Sequence, residues 1–383
     1  MISVIAISII LVYLCFLGML CYGFDRVKPF HLQDLKPKTT FSVIIPFRNE
    51  AKTLPHLLNS ILKLNYPKNL FEVILIDDDS DDNSVDIIQS FINNASKEKN
   101  GNNNISIRVI SNKRISLSPK KDAISLAISI AKNKWIITTD ADCKVPQYWL
   151  SSFDECIQNK TPNCIVAPIA YSTLNSFFYR FQALDILSLQ GATIGGFGLK
   201  RPFLCNGANF AYKASLFTEV NGFDGNTTTA SGDDIFLLEK FKQVDQQSVV
   251  YLKSSKAIVT THPVSNTKQL IQQRLRWASK TSRNPNIFSK LLGLIIVLAN
   301  FICITIPFLL FLGLIEIRVA MALIIIKLAI DFLLLFKSSR FFNQERILIS
   351  YLSSSVLYPF FCVYIALLSL FKPYQWKGRT FKT

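Results

Sequence analysis

Two clusters of carboxylates are the residues of this chain whose type and spacing could do chemistry. Asp77–Asp79 directly follow the apolar run Phe71–Ile76, and Asp140–Asp142 follow the apolar run Trp135–Thr139. Carboxylates brought to one place repel each other unless a cation or hydrogen-bond donors compensate. Carboxylate and diphosphate oxygens together are the ligands that Mg²⁺ or Mn²⁺ prefers. The two clusters therefore predict a site for a divalent cation and a diphosphate-bearing ligand.

The apolar runs have the composition of buried parallel strands. Phe41–Pro46 and Phe71–Ile76 are short, β-branched and bounded by turn residues, and helical spacing over Leu54–Leu64 separates them. This order predicts a βαβ unit. The further predicted elements are strands over Ile105–Ile110 and Trp135–Thr139, a helix over Asp122–Ala131 and a polar surface loop over Asn93–Asn104. The alternation predicts a doubly wound α/β domain, which binds ligands at the carboxyl ends of its strands.

The N-terminal segment is apolar and uncharged from Met1 to Phe24, and the first charges, Asp25, Arg26 and Lys28, follow it. A secretory signal would carry its positive charge before the apolar run and end in small residues. The segment instead predicts an uncleaved membrane helix. Positive charges on its C-terminal side predict that the following domain is cytoplasmic.

The C-terminal third contains further apolar stretches. Leu291–Ile315 and Ile347–Phe371 are uncharged and long enough to span a bilayer. Val319–Phe336 is shorter and contains Lys327 and Asp331, which at a spacing of four could neutralise each other on one helix face. Two or three C-terminal spans are compatible with the charges of the loops, and the lengths favour three.

Composition supports a mixed, membrane-associated architecture. Half of the 383 residues are hydrophobic and the net charge is +16. The positive charge suits anionic headgroups and phosphate-bearing substrates, whereas nucleic acid is disfavoured because the chain has no zinc spacing, stacking motif or basic helix register. Its eight cysteines include no close C-x-x-C pair, which argues against a metal knuckle or a disulfide framework and fits a reducing compartment.

The segment Phe177–Leu189 has the spacing of an amphipathic helix and precedes four glycines, at positions 191, 195, 196 and 198. Two interpretations are open. The segment is either a membrane-surface helix that guides a lipid or sugar acceptor, or a core helix followed by a flexible glycine loop.

The chain resembles the family 2 glycosyltransferases, and the similar segments occur in the order that the family has. This large inverting family has the GT-A fold and includes membrane-bound synthases of cellulose, hyaluronan and poly-N-acetylglucosamine, and the ceramide glucosyltransferases. The resemblance covers about Phe41–Thr281 and the flanking helices. The similar segments are SVIIPFRNE (Ser42–Glu50), LIDDDSDDNS (Leu75–Ser84), the DxD metal motif DAD (Asp140–Asp142), the acidic pair in SGDD (Ser231–Asp234), and the QxxRW motif in QRLRW (Gln273–Trp277).

The resemblance implies roles on the donor side. Asp78 would contact a uracil-like base, and Glu50 would help to frame the nucleotide pocket. Lys121 falls where relatives have a Gly-Lys loop near the diphosphate, although Pro119 or Lys120 replaces that glycine here. A second departure is Asp79, which stands where many members have glycine.

The resemblance also implies the reacting groups. Asp142, with Asp140 nearby, would hold the metal, and Asp234 would be the general base beside Asp233. Asn209, in the small-residue turn of residues 206–209, would line the acceptor side. Inverting transfer is one in-line displacement, which needs a base for the acceptor hydroxyl and a cation for the leaving diphosphate.

Within QRLRW, Gln273, Arg276 and Trp277 fall on one helix face. Arginine offers forked donors to a diphosphate oxygen, and tryptophan offers a flat wall for a sugar ring. The alternative is an amphipathic membrane-surface helix in which these side chains are incidental, and the upstream motifs favour the functional interpretation.

The sequence therefore predicts a GT-A nucleotide-sugar-binding α/β domain over residues 38–290, flanked by membrane helices over 1–24 and 291–371, with a basic tail over 372–383. The predicted activity is Mg²⁺- or Mn²⁺-dependent, inverting transfer of glucose or N-acetylglucosamine from a UDP-sugar to a lipid or polysaccharide acceptor. The predicted location is the inner cell membrane, with the catalytic domain in the cytoplasm. The alternative is a catalytically inactive, sugar-binding or regulatory relative.

Overall fold

The computed structural model describes residues 1–97, 105–172, 175–227, 229, 231–283 and 285–381. The chain divides into two compact units. The sheet unit comprises residues 28–172 and 205–262, and the helical unit comprises residues 1–27, 173–204 and 263–383. Two helices within the predicted 38–290 domain thus group with the apolar helices, because they pack against those helices rather than on the sheet.

The sheet unit alternates strands and helices along its first half, as predicted. Its strands are β1 (Phe41–Phe47), β2 (Phe71–Asp77), β3 (Ser106–Ser111), β4 (Trp135–Thr138), β5 (Cys164–Val166), β6 (Ile169–Tyr171), β7 (Phe210–Lys213), β8 (Val249–Tyr251) and β9 (Val259–Thr261). Its helices are α2 (Leu54–Leu62), α3 (Ser84–Lys97), α4 (Pro119–Ile130), α5 (Trp149–Lys160), α7 (Ala214–Glu219) and α8 (Asp233–Asp245), while α1 and α6 belong to the helical unit.

The main sheet has seven strands in the order β3-β2-β1-β4-β7-β5-β8. Strand β1 is parallel to both β2 and β4, with Phe47 opposite Asp77 and Ile44 opposite Thr138. The carboxyl ends of these strands therefore meet at one edge, which confirms the predicted proximity of the two acidic clusters. The runs are apolar throughout because helices or loops cover both faces, and Ile44, for example, is completely buried.

Strand β7 runs antiparallel between β4 and β5, with Phe210 opposite Thr138. The start of an antiparallel strand lies at the same edge as the ends of its parallel neighbours. The turn formed by residues 206–209, which precedes β7, therefore also reaches the acidic edge. The mixed sheet confirms the predicted fold class.

The predicted loop over Asn93–Asn104 is partly wrong. Helix α3 continues to Lys97, because the apolar side chains of its first half keep a helical spacing that local polarity does not interrupt. The rest of that predicted loop, residues 98–104, lies outside the described residues.

The helical unit consists of α1 (Ile2–Arg26), α6 (Phe177–Gly198), α9 (Thr267–Arg283), α10 (Ile287–Phe311), α11 (Ile317–Phe341) and α12 (Tyr351–Phe371), with a hairpin of β10 (Tyr374–Trp376) and β11 (Arg379–Phe381). Within the described residues, four segments are long and apolar enough to cross a membrane: Ile2–Arg26, Ile287–Phe311, Ile317–Phe341 and Glu345–Phe371. Three of them are C-terminal, as the lengths of the apolar stretches favoured.

Helix α11 extends beyond the predicted Val319–Phe336. The predicted neutralisation within it is confirmed, since Lys327 Nζ lies 2.9 Å from Asp331 Oδ2. Helix α6 also continues through the glycines to Gly198, so the interpretation as a flexible glycine loop is wrong. Gly195 and Gly198 lie against α1, where a Cβ atom on Gly198 would stand 1.7 Å from the carbonyl oxygen of Gly23.

Candidate active site

The first acidic cluster, at the end of β2, is bound by two arginines. The buried carboxylate of Asp78 accepts hydrogen bonds from Asn112 Nδ2 at 2.8 Å and from Arg114 Nε at 2.9 Å. Arg48 donates to the Asp78 carbonyl oxygen at 2.7 Å and lies 3.2 Å from Asp79 Oδ2. These donors compensate the repulsion between the neighbouring acids.

Asp79 has a backbone φ of +66°, in the left-handed region. Aspartate tolerates this region better than most residues because its short side chain can bond locally. The conformation accounts for an aspartate at a position where many family 2 members have glycine. Hydrogen bonds from Arg48 and Arg114 also lower the pKa of the Asp79 carboxyl below its usual value.

Glu50 lies in the loop after β1 and is half-buried. Its backbone N–H donates to Ser84 Oγ at 2.8 Å, and its Oε2 accepts from Thr53 Oγ1 at 2.7 Å. The side chain of Glu50 thus lies at the same edge of the sheet as Asp78, and its predicted contact with the nucleotide stays a prediction.

The second acidic cluster is joined to the acidic pair by Lys120, a residue that no sequence motif indicated. Lys120 Nζ lies 2.7 Å from Asp140 Oδ1 and 3.4 Å from Asp233 Oδ2. Burial disfavours the charged ammonium, but the charges of Asp140 and Asp233 outweigh it and hold the pKa of Lys120 well above its usual value. The sequence contains a signal for this role, because lysines occupy both positions 120 and 121, where relatives have a Gly-Lys loop.

Lys121, which the resemblance assigned to the diphosphate, is directed elsewhere. Its side chain is buried, and its Nζ donates to the carbonyl oxygens of Asn226 and Thr229, each at 2.6 Å. These carbonyls belong to the segment that leads into α8. In this structure Lys121 therefore supports that segment, while Lys120 extends to the acidic residues.

Helix α8 begins at the predicted base. Gly232 precedes it with a φ of +87°, a conformation that favours glycine, and Asp233 and Asp234 form its first turn. The buried Asp234 carboxylate accepts a hydrogen bond from the Gly207 N–H at 3.1 Å. A Cβ atom on Gly207 would lie only 3.1 Å from Asp233 Oδ2, so a small residue keeps the turn against the acidic pair.

Asn209 is completely buried beneath this turn. Its Oδ1 accepts from Trp149 Nε1 at 2.9 Å, and its Nδ2 donates to the carbonyl oxygens of Pro168 and Ala257 at 2.7 and 2.8 Å. The predicted contact of Asn209 with the acceptor has no support in these bonds. They fix the turn that carries Gly207 instead.

The donor set at the DxD motif fits a hard divalent cation. Ligand atoms of Asp140, Asp142 and Cys143 all lie within 4.8 Å of one another, and Asp142 is exposed. Burial, followed by the charges of Asp142 and Asp140, raises the pKa of the Cys143 thiol. Hard divalent cations prefer carboxylate oxygens to thiol sulfur, so the two carboxylates are the residues suited to hold Mg²⁺ or Mn²⁺.

Gln273, Arg276 and Trp277 lie on α9 of the helical unit, on the helix that the motif predicted. The buried charged residue of this segment is Arg274, whose Nε lies 2.6 Å from Asp185 Oδ2 on α6. Its guanidinium group also stacks 4.1 Å from the centre of the Trp277 ring. The QxxRW motif does not specify Arg274, because this residue occupies one of its two variable positions.

Comparison with known proteins identifies the class of this domain. Residues 42–220 match the sequence model of the family described as Glycosyl transferase family 2. A mannosyltransferase of Pyrobaculum calidifontis, solved with GDP-Man and Mn²⁺, superposes with a TM-score of 0.56 at 15% identity, covering 93% of this chain and 99% of that one. Residues 42–220 therefore form a family 2 glycosyltransferase domain, and its fold is GT-A.

Curated relatives are more distant in sequence. A poly-beta-1,6-N-acetyl-D-glucosamine synthase of Staphylococcus epidermidis is 23% identical over 272 residues, which are 68% of this chain and 60% of that protein. A beta-monoglucosyldiacylglycerol synthase of Trichormus variabilis is 23% identical over 270 residues, 68% of this chain and 53% of that protein. The chain thus spans less than two thirds of the length of either relative. The acidic pair and QRLRW lie beyond the residues that match the family model.

Proposed function

We propose that this protein is a membrane-embedded, inverting glycosyltransferase that moves glucose or N-acetylglucosamine from a UDP-sugar to a membrane-associated lipid or polysaccharide. The observation that carries the proposal is the position of Lys120 between Asp140 and Asp233. It brings the DxD motif and the acidic pair of α8 to one place in the sheet unit. The carboxylates suited to hold a cation and the carboxylate suited to act as general base are then close enough to serve one reaction.

The donor nucleotide belongs at the ends of β1 and β2. Asp78 and Glu50 lie at this edge and would contact the base and ribose, with Arg48 and Arg114 holding the acidic loop in shape. Asp140 and Asp142 would hold Mg²⁺ or Mn²⁺, which when bound supplies positive charge to the leaving diphosphate. Lys120 would add a fixed positive charge beside it.

The acceptor hydroxyl would lose its proton to Asp234. The Gly207 N–H fixes one oxygen of this carboxylate, and Asp233 stands beside it at the start of α8. Lys121 and Asn209 would act as positioning residues, the first for the segment before α8 and the second for the turn that carries Gly207. Gln273, Arg276 and Trp277 on α9 keep the diphosphate and sugar contacts that the family resemblance implies as a prediction.

The location follows from the apolar helices. Four candidate spans would place the protein in the membrane, and the charges after α1 would place the sheet unit in the cytoplasm. UDP-sugars are soluble donors, whereas the acceptor would be reached from the bilayer. This arrangement suits transfer to a membrane-associated molecule.

The test uses the purified full-length protein in detergent or nanodiscs with radiolabelled UDP-glucose and UDP-N-acetylglucosamine, Mn²⁺ and total membrane lipids. Wild type is expected to transfer label from one of the donors into the lipid or polymer fraction. Asp234→Asn is expected to lower kcat by about 100-fold or more, since general-base catalysis is worth about that much.

The matched control is Asp86→Asn, the same change at an exposed position in the first turn of α3. It is expected to leave kcat unchanged. Equal turnover in wild type and Asp234→Asn would overturn the assignment of the base. Absence of transfer from every donor by the folded wild type, with UDP-sugar still bound, would instead favour an inactive, sugar-binding relative.

A further inference from the structure

The helical unit contains a partly open cavity of about 210 Å³ that none of the motifs predicted. Side chains from α1, α6, α10, α11 and α12 line it, and most of its wall is apolar, with buried leucines such as Leu17, Leu184 and Leu292. Cavities in protein interiors are normally few and small, because side chains pack to high density. An apolar cavity with a few convergent polar groups is the usual form of a small-molecule site.

The polar part of the wall is concentrated and lies deep in the apolar helices. The ionisable side chains in it are Tyr13, Asp185, Lys327, Asp331, Tyr351 and Tyr358, and serines complete it. Among them, Tyr13 and Asp331 lie near the middle of α1 and α11, and Tyr358 lies near the middle of the span Glu345–Phe371. Ionisable residues at such positions are costly and mark functional sites.

Each carboxylate in the wall has a cation and a phenol as partners. Asp331 pairs with Lys327 at 2.9 Å and accepts a hydrogen bond from the Tyr13 hydroxyl. The carboxylate of Asp185 has the same kind of surroundings: Arg274 Nε at 2.6 Å and the Tyr358 hydroxyl at 3.3 Å. The charges of the wall therefore cancel in pairs.

The pairing of each carboxylate with a cation favours neutral lipids over anionic ones. An anionic headgroup would meet two carboxylates whose cations are already engaged, so it would be repelled or left undercompensated. A neutral hydroxyl can donate to a carboxylate or to a phenol oxygen without changing the charge balance. The apolar wall suits a hydrocarbon chain.

We propose that this cavity binds the hydroxyl end of a neutral lipid of the diacylglycerol type, with the first part of one chain among the leucines and the hydroxyl at the Asp185–Tyr358 and Asp331–Tyr13 pairs. Binding itself is independent of catalysis. Naming this lipid as the acceptor rests on the proposed function.

The first experiment photolabels the full-length protein in nanodiscs with a diacylglycerol that carries a diazirine on one chain, followed by peptide mapping. The competitors are unlabelled diacylglycerol and phosphatidic acid with the same chains, which differ only in the hydroxyl or phosphate. Label is expected on peptides of α6, α10 and α12, with diacylglycerol competing at least about tenfold better. Equal competition by the two lipids, or label confined to other peptides, overturns the proposal.

The second experiment fills the cavity. Leu184→Trp places a larger side chain in the cavity wall, and Leu294→Trp makes the same change at an exposed position on α10 outside the wall. Leu184→Trp is expected to lower specific labelling about tenfold, while Leu294→Trp leaves it unchanged. Ala192→Leu, a smaller intrusion into the same wall, provides the measurement if Leu184→Trp fails to fold. Unchanged labelling in a folded cavity variant overturns the proposal.

Asp234→Asn separates this site from the transferase activity. It is expected to label like wild type while its sugar transfer falls by about 100-fold or more. If wild type labels specifically but transfers nothing, the lipid site stands and the proposed function fails. If wild type transfers sugar while the folded cavity variants label and transfer normally, the lipid site fails and the proposed function stands.

Discussion

The ammonium group of Lys120 lies 2.7 Å from Oδ1 of Asp140 and so joins helix α4 to the carboxylate that follows strand β4. The adjacent Lys121 has its ammonium group 2.6 Å from the carbonyl oxygens of Asn226 and Thr229. Two consecutive lysines therefore serve different purposes. One places charge among the acids, and the other supports the backbone that leads to Asp234.

Replacement of each lysine by methionine should separate these purposes. Lys120→Met is expected to lower kcat by about tenfold or more, because it removes a preorganised charge from the reacting groups. Lys121→Met is expected mainly to lower stability, by about 2 kcal/mol, because it removes charge-assisted bonds to buried carbonyls. The measurements are steady-state kinetics with the UDP-sugar and thermal unfolding in detergent.

A reversal of the two effects would contradict this division. If Lys121→Met lost kcat at unchanged stability while Lys120→Met kept full activity, the assignment made from the family resemblance would be right after all. Lys52→Met, the same change in the loop after β1, is the control for loss of a lysine in the sheet unit and is expected to change neither quantity.

The elements that carry the acidic edge were predictable because their signals are local. Phe41–Pro46 and Phe71–Ile76 are nearly the observed β1 and β2, since a short β-branched run between turns leaves few alternatives. The position of Asp78 and Asp140 at one edge of the sheet followed from parallel pairing alone. The position of the 206–209 turn could not be predicted in this way, because it depends on β7 running antiparallel, which no local pattern specifies.

The roles within the site were less predictable for the same reason. Asn209 and Lys121 match family positions, but their side chains are buried by residues distant in sequence, Trp149 and Thr229 among them. The Arg274–Asp185 pair joins residues 89 positions apart. Such partners are set by tertiary packing, which spacing along the chain does not encode.

The DxD motif gives a prediction about metal. Asp142→Asn is expected to weaken Mn²⁺ binding by about tenfold or more, because it removes one of two carboxylate ligands. Cys143→Ser is expected to leave it nearly unchanged, because Mn²⁺ prefers carboxylate oxygens to thiol sulfur. Isothermal titration with Mn²⁺ in the presence of UDP measures this directly, without depending on turnover.

The serine variant is the discriminating control for this prediction. Equal loss of Mn²⁺ affinity in Asp142→Asn and Cys143→Ser would make the thiol a ligand. No loss in Asp142→Asn would remove Asp142 from the metal site. Chelation with EDTA is expected to abolish transfer by wild type, and added Mn²⁺ or Mg²⁺ to restore it.

Glu72 on β2 gives a prediction about pH. Its buried carboxylate accepts hydrogen bonds from Ser42 Oγ and from the Lys132 N–H, each at 2.7 Å, and from Arg108 at 2.6 Å. Burial disfavours the charged form, yet these donors outweigh it and lower the pKa of Glu72 below its usual value. A lowered folded-state pKa contributes stability that is fully present above the unfolded value of about 4.3 and is lost as the pH falls through the folded value.

Glu72→Gln should therefore lose stability at pH 7 and flatten the decline of stability below about pH 4.3. Urea unfolding of the full-length protein in detergent at pH 7 and at several pH values between about 5 and 3 measures both effects. Glu219→Gln, at an exposed position at the end of α7, is the matched control. A decline as steep in Glu72→Gln as in wild type would show that other carboxylates account for the pH dependence.

The contact between α1 and α6 gives a prediction about helix packing. A Cβ atom on Gly23 would lie 2.1 Å from the carbonyl oxygen of Gly195, whereas a Cβ atom on Gly18 of the same helix would meet nothing within 4 Å. Close approach of membrane helices through small residues stabilises their packing. Gly23→Ala is expected to lower stability by about 1–3 kcal/mol because the helices must separate, while Gly18→Ala should be neutral or slightly stabilising because alanine favours helix.

Thermal unfolding in detergent of the two alanine variants, beside wild type, checks this difference. Because both changes add one methyl group to α1, any general effect of alanine on the helix appears in both and cancels from the comparison. Equal melting temperatures would mean that α1 and α6 do not pack through Gly23 in the folded protein. A loss confined to Gly23→Ala would show that the glycines after Leu189 are retained for contact with α1, which explains why α6 continues through them as a helix.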